Sequence, residues 1–162
     1  MGRWRPPPPA SSPYITPEGY RQLEEELNRL WERRAVVTRA LAAAAAEGDR
    51  SENAEYIYRK KELRDIDRRV RYLQKRLPAL NIVSEVGDNN RVFFGACVTV
   101  KNISGEVSTF RIVGPDEIAH KEAYISIDSP MGKALLGKSI DVEICVEGKA
   151  DKISYVITAI EY

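Results

Sequence analysis

Histidine and cysteine are almost missing from this chain, which has one histidine, His120, and two cysteines, Cys97 and Cys145, among 162 residues. With no CxxC pair and no His/Cys cluster, the sequence offers neither a zinc site nor a disulfide framework. Both cysteines fall inside alternating apolar segments, where they read as packing residues of a protein in a reducing cytoplasm, and His120 reads as a loop residue. No apolar run approaches the length of a membrane span. Residues 1–13 carry two arginines, but four consecutive prolines at 6–9 stand where a signal peptide would have its apolar stretch, so the segment reads as a disordered, Pro-rich extension.

What remains is ordinary for a globular protein: 43% hydrophobic and 30% charged residues, with a formal net charge of +1. That near-neutral total hides an asymmetry. Residues 1–80 hold 17 Lys and Arg against 12 acids, whereas residues 81–162 hold 8 against 12, so the two halves are expected to face different partners.

The first half has a helical period. Thr16 as N-cap, Pro17 at the first helical position and Glu18 in the first turn open a helix whose seam runs Leu23, Leu27, Leu30, Arg34, Val37, Leu41 and Ala44. Arg34 is the one polar intruder. From Pro17 to Ala46 the helix would be about 45 Å long at roughly 1.5 Å per residue, and its alanine-rich end is slim. A second helix carries a seam of Tyr56, Leu63, Ile66, Val70, Leu73 and Leu77, and Pro78 discourages its continuation. The pair predicts an antiparallel coiled-coil hairpin over residues 14–82. From residue 92 the period changes to two, predicting strands over 92–102, 106–113, 123–128, 140–146 and 153–160, with a short helix at 130–136 closed by Gly137. The fold class is therefore α+β: the hairpin, a linker at 83–91, and an antiparallel β domain at 92–162.

The turn Gly48-Asp49-Arg50-Ser51-Glu52-Asn53 joins the two helices and sets two carboxylates, Asp49 and Glu52, where the chain reverses. Two readings of it stand. Exposed carboxylates on a slim support suit sharing a hard cation such as Mg²⁺, while Asp49 as N-cap with Glu52 three residues on spells a capping box. The second helix also carries a basic stripe. Lys61, Arg64, Arg68, Arg71 and Lys75, with Lys60 beside them, lie about 200° from the seam, and residues 59–76 hold nine Lys and Arg against Glu62, Asp65 and Asp67. Such a face is either merely solvated or attractive to a phosphate backbone. No aromatic interleaving is evident that would support base stacking.

These residues resemble a known family, the Gre transcript cleavage factors of bacterial RNA polymerase, and within it the GreB type. The resemblance spans residues 14–162. It is strongest in Gly48-Asp49-Arg50-Ser51-Glu52-Asn53-Ala54-Glu55-Tyr56, in Arg64-Asp65-Ile66-Asp67-Arg68-Arg69-Val70-Arg71-Tyr72-Leu73, in Val92-Phe93-Phe94-Gly95-Ala96, in Phe110-Arg111-Ile112-Val113-Gly114 and in Tyr124-Ile125-Ser126-Ile127-Asp128-Ser129-Pro130. The long stripe is what looks like the GreB type rather than the GreA type. Departures are the Pro-rich extension, the segment 137–142, where relatives usually carry a glycine before the acid, and the stretch at His120-Lys121.

The resemblance implies a coiled-coil N-terminal domain and an FKBP-like C-terminal domain. The latter would dock on the rim of the polymerase secondary channel through Asp128, Ser129 and Pro130 while the hairpin enters. Asp49 and Glu52 match the family's catalytic acids, which would share a Mg²⁺ with the polymerase, bound only in the complex, so that backtracked RNA is hydrolysed. The stripe would contact that RNA. The protein would then be a cytoplasmic monomer that stimulates the polymerase's own activity rather than an enzyme by itself. A channel-binding inhibitor and a plain coiled-coil interaction protein are the alternatives. An inhibitor would alter the tip, and the third class gives no reason for the stripe or for Asp128-Ser129-Pro130, so the intact acids favour cleavage.

Overall fold

The two heptad-patterned segments form helices α1, Pro17–Ala46, and α2, Ala54–Arg76, each within the predicted limits. Pro17 opens the first, and Gly48, at φ 133°, lies just past its end. A 3-10 turn over Leu77–Ala79, with Pro78 inside it, ends the second. The computed structural model describes residues 9–48, 53–85 and 87–162, in two units. One is Glu18–Leu80, and the other joins the residues up to Pro17 to Asn81–Tyr162. The expected extension at 1–13 falls partly outside the described residues, at 1–8, and the acidic turn at 49–52 falls wholly outside them.

In the helical unit Val37, Ile66 and Val70 are buried together, with Leu27, Leu30 and Leu63 packed against them. Burying such a side chain contributes roughly 1.5–3 kcal/mol, so a two-helix seam of this size gains only modestly from its apolar contacts. Ion pairs reinforce it. Arg69 grips Glu26 through two bonds of 2.6 and 3.0 Å, and Arg33 reaches Glu62 at 2.6 Å. The pairs 26 with 69 and 33 with 62 run in opposite senses along the chain, as an antiparallel hairpin requires. Arg34, the intruder in the seam, is matched by Asp67 at 2.7 Å.

The other unit contains two sheets. Strands β1, Tyr14–Ile15, and β2, Asn81–Ile82, pair in parallel. The five-stranded sheet has the order β5-β4-β3-β7-β6, with β3 Cys97–Asn102, β4 Val107–Val113, β5 Tyr124–Ser126, β6 Glu143–Glu147 and β7 Lys152–Glu161. Helix α3, Pro130–Leu135, lies between β5 and β6 in the chain. Val92, Ala96, Val98, Val100, Ile112, Leu135, Ile144, Ile157 and Ile160 form the buried core. Alternation does what it must here: Val98 and Val100 face inward, while Cys97 and Thr99, which alternate with them, are only half-buried.

Four departures from expectation have local causes. The sheet is mixed rather than wholly antiparallel, because β5 runs parallel to β4; the connection from Gly114 to Ala123 returns the chain to the same end instead of reversing it in a tight hairpin. The first strand begins at Cys97 and not at 92, since Ala96 donates to the Phe93 carbonyl in a turn with Gly95 at φ 86°. Strand β6 begins at Glu143 and not at 140, because Val142 donates to the Ser139 carbonyl in a turn where Asp141 adopts φ 66°, and Ile140 is left exposed. Cys145 is exposed, with its Sγ 3.3 Å from Ser154 Oγ, so only Cys97 is even partly a packing residue.

Within the hairpin domain expected at 14–82, the compact helical unit is Glu18–Leu80, and Tyr14 to Pro17 and Asn81-Ile82 pack with the C-terminal unit. A buried carboxylate secures Thr16. Glu117, only 1% exposed, accepts from Thr16 N at 3.1 Å, from the Thr16 hydroxyl and from Gly114 N at 2.9 Å. Thr16 does precede α1, as predicted, but its hydroxyl donates to Glu117.

Candidate functional site

Asp49 and Glu52 lie outside the described residues, and what the structure supplies is the frame on either side of them. Helix α2 starts at Ala54 and its N-cap is Asn53, whose Oδ1 accepts from Tyr56 N at 3.1 Å. The capping-box alternative, with Asp49 as N-cap, is therefore overturned as an account of this helix: the cap stands four residues later. Asn53 does a second task. Its Nδ2 donates to the carbonyl of Ala44 at 2.8 Å, satisfying one of the acceptors that the end of α1 leaves over, so a single side chain ties the end of one helix to the start of the next. Gly48 and Asn53 bracket the four residues that hold the two acids.

The stripe is where the sequence places it. Lys60, Lys61, Arg64, Arg68, Arg71 and Lys75 are all exposed on α2, and the last five recur at steps of three and four along one face. The acids of α2 are committed elsewhere. Asp67 goes to Arg34 of α1, and Glu62 to Arg33 of α1 and to Arg59 at 3.0 Å. Burial pushes the Glu62 carboxyl up, and the hydrogen bonds from Arg33 and Arg59 more than offset that, holding it below the ordinary value. Arg59, bonded to Glu55 first and to Glu62 second, is raised. Asp65 remains for Arg68, at 3.6 Å, with both side chains more than half exposed. Among the described residues Lys61, Arg64 and Lys75 make no ion pair. The crosslinks between the helices thus take up Glu62 and Asp67 of α2 and leave its outer face with more cations than acids.

No aromatic interleaves the stripe residues themselves, but one flanks them. Tyr58 is 59% exposed, stands three residues before Lys61 and shares a shallow surface depression with Lys61, Asp65 and Ile66. Exposed Ile57 precedes it. Tyrosine two residues after the seam residue Tyr56 was the available signal, since positions 56 and 58 cannot both face the partner helix.

In the C-terminal unit Asp128, Ser129 and Pro130 form a tightly bonded corner. Ser129 is the N-cap of α3: its hydroxyl accepts from Gly132 N at 3.0 Å and donates to the Ser126 carbonyl at 2.6 Å, with Pro130 opening the helix. Asp128 N donates to Ser126 Oγ at 3.0 Å. The Asp128 carboxylate receives Ser12, whose backbone N–H reaches Oδ2 at 2.8 Å and whose hydroxyl donates to Oδ1. Nothing in the sequence pattern signals that contact. Next to the corner, Tyr14, Val83, Phe93, Phe94 and Ile127 line an open groove of about 430 Å³. Gly87 also borders it, where a Cβ would come within 2.5 Å of Phe93 and Tyr162.

Among the described residues no helix is long and apolar enough to cross a membrane. Residues 13–82 match the family described as the N-terminal domain of transcription elongation factors, and residues 87–162 match the GreA/GreB C-terminal domain. The chain is 55% identical to the transcription elongation factor GreB of Xanthomonas axonopodis pv. citri over 165 residues, covering 100% of this chain and 98% of that protein. It is 53% identical to the Pseudomonas aeruginosa GreB over 164 residues, with the same coverage. Among solved structures, that of the transcription factor Gfh1 matches at 27% identity and a TM-score of 0.46, covering 95% of this chain and 100% of that one. With both domain matches in chain order and relatives above half identity along its whole length, the chain belongs to the GreA/GreB family of transcription elongation factors.

Proposed function

We propose that this protein acts on bacterial RNA polymerase as a transcript cleavage factor of the GreB type. It enters the secondary channel with its hairpin and stimulates the polymerase's own hydrolysis of backtracked RNA, so the protein is not an enzyme by itself. The observation that carries the reading is the division of charge on α2, where Glu62 and Asp67 are spent on α1 arginines and the outer face is left to Lys61, Arg64 and Lys75. A face of that kind follows an RNA phosphate backbone. Tyr58, exposed with the Arg59 guanidinium over its ring, flanks that face beside Lys61.

Asp49 and Glu52 are the residues that would hold Mg²⁺. The donor set fits a shared ion, because Mg²⁺ usually keeps several waters and is held by one or two carboxylates together with phosphate oxygens. With α2 capped by Asn53, that helix does not need either acid as its N-cap. Once bound, the metal would supply stabilisation of charge on the reacting phosphodiester. This chain's part is to bring two anionic oxygens on a narrow support and to hold the RNA along the stripe. Docking falls to Asp128, Ser129 and Pro130 on the polymerase rim.

The test is a halted, backtracked polymerase complex given Mg²⁺ and this protein. Shortening of the RNA from its 3′ end by hydrolysis is expected, and Asp49→Asn or Glu52→Gln should each remove most of it while polymerase binding persists, with partial recovery at higher Mg²⁺. An Asp49→Asn protein that stimulates at the wild-type rate would overturn the assignment of the acids. A wild-type protein that binds without stimulating would make it a non-cleaving regulator of the same channel.

A further inference from the structure

The segment before α1 does more than lead into the hairpin. Pro13 O accepts from Asn81 N at 2.7 Å and Ile15 O from Val83 N at 2.9 Å, and the Tyr14 carbonyl sits so close to Gly114 that a Cβ there would stand 2.0 Å from it. With Thr16 fixed on Glu117, residues 13–16 are held at every position. Immediately upstream, Ser12 gives its N–H to one oxygen of Asp128 and its hydroxyl to the other. The two residues are 116 positions apart in the chain. The bonds within the 126–132 corner fix the backbone of Asp128, through Ser126 and the Ser129 cap, while both oxygens of its carboxylate are met from outside the corner by Ser12.

We propose that Ser12 is a positioning residue for polymerase docking, orienting the Asp128 carboxylate before the partner arrives. This rests on the reading of Asp128 as a docking group. Ser12 brings two neutral donors and no charge, so it can orient Asp128 without cancelling the negative charge that a cationic side chain of the partner would seek. A carboxylate already held in one rotamer loses less freedom on binding than one that must be ordered at the interface.

The test is a double-mutant cycle on affinity for RNA polymerase, using full-length protein in competition against labelled wild type. Ser12→Ala should weaken binding about five- to tenfold, Ser12→Thr should restore wild-type affinity because it keeps the N–H and a hydroxyl, and Ser12→Ala should add nothing in an Asp128→Ala background. Circular dichroism and thermal unfolding of each variant check that the fold is kept. Unchanged or tighter binding by Ser12→Ala, or an equal loss with and without Asp128, would overturn the inference; tighter binding would mean that Ser12 competes with the partner. If Asp128→Ala itself binds like wild type, the docking assignment is what fails, and the role of Ser12 falls with it.

Discussion

Asn53 ties the end of α1 to the start of α2, and its removal has a calculable effect. Its Oδ1 caps α2 through Tyr56 N and its Nδ2 bonds the Ala44 carbonyl near the end of α1. Loss of an N-cap costs about 1 kcal/mol. Loss of one side-chain hydrogen bond to a backbone carbonyl costs about another 1 kcal/mol. Asn53→Ala should therefore favour local opening by about 2 kcal/mol, which at 1.4 kcal/mol per tenfold corresponds to roughly 30-fold faster exchange of the Tyr56 amide. Asn53→Asp keeps the acceptor for Tyr56 but has no donor for Ala44, so it should show only about half that free-energy change, roughly fivefold in exchange. Amide hydrogen exchange followed by NMR reads both, and stimulated RNA cleavage should fall in the same order. If Asn53→Ala leaves Tyr56 protection within twofold of wild type, or if aspartate is as damaging as alanine, the assignment of two separate tasks to this side chain is wrong.

Three further outcomes are expected. Replacing Arg64, Arg68 and Arg71 together should impair cleavage of long backtracked RNA more than of short, and should lower the salt dependence of RNA contact by a slope of about 2, at roughly 0.7 per single-strand phosphate contact; a defect that does not change with salt would indicate lost packing instead. Glu117→Ala strands the donors of Thr16 and Gly114 in a buried site, at about 1–3 kcal/mol for each unsatisfied group, and should destabilise the C-terminal unit by about 2–5 kcal/mol in denaturant unfolding, with little effect on helix signal from the hairpin. Because Glu62 is depressed in the folded protein, its pairing contributes stability above the ordinary carboxylate value of 4.5 that is lost as pH falls through the lowered one, so Glu62→Gln should flatten the acid side of the hairpin's stability profile.

The helices were legible because their signals agree: a seam at four- and three-residue steps, Pro17 at one end and Pro78 at the other, and Gly48 between. The core strands were legible from Val98-Val100 and Ile157-Ile160, though not their ends, since Gly95 and Asp141 adopt positive φ inside stretches that still alternate in hydrophobicity. Sequence could not choose the N-cap, because Asp49, Ser51 and Asn53 are all good cap residues within five positions and only the backbone selects among them. Strands of two residues, such as Tyr14-Ile15 and Asn81-Ile82, have no period to read. Nor has a contact between Ser12 and Asp128, which depends on the tertiary path of a segment that composition alone marks as an extension.

The parallel pairing of Tyr14-Ile15 with Asn81-Ile82 gives the hairpin the status of an insert. The C-terminal unit is discontinuous in the chain, and it leaves at Pro17 and resumes at Asn81 on neighbouring strands. A fragment cut to begin at residue 83 would thus not be that unit, since it would lack β1, β2 and the Thr16 donors to Glu117. Any coiled coil whose two ends meet at the spacing of paired strands could occupy the same opening, whatever its length or the residues at its tip. A change of hairpin is then a cassette exchange at one place in a closed domain, with Ser12, Asp128 and the sheet left as they were.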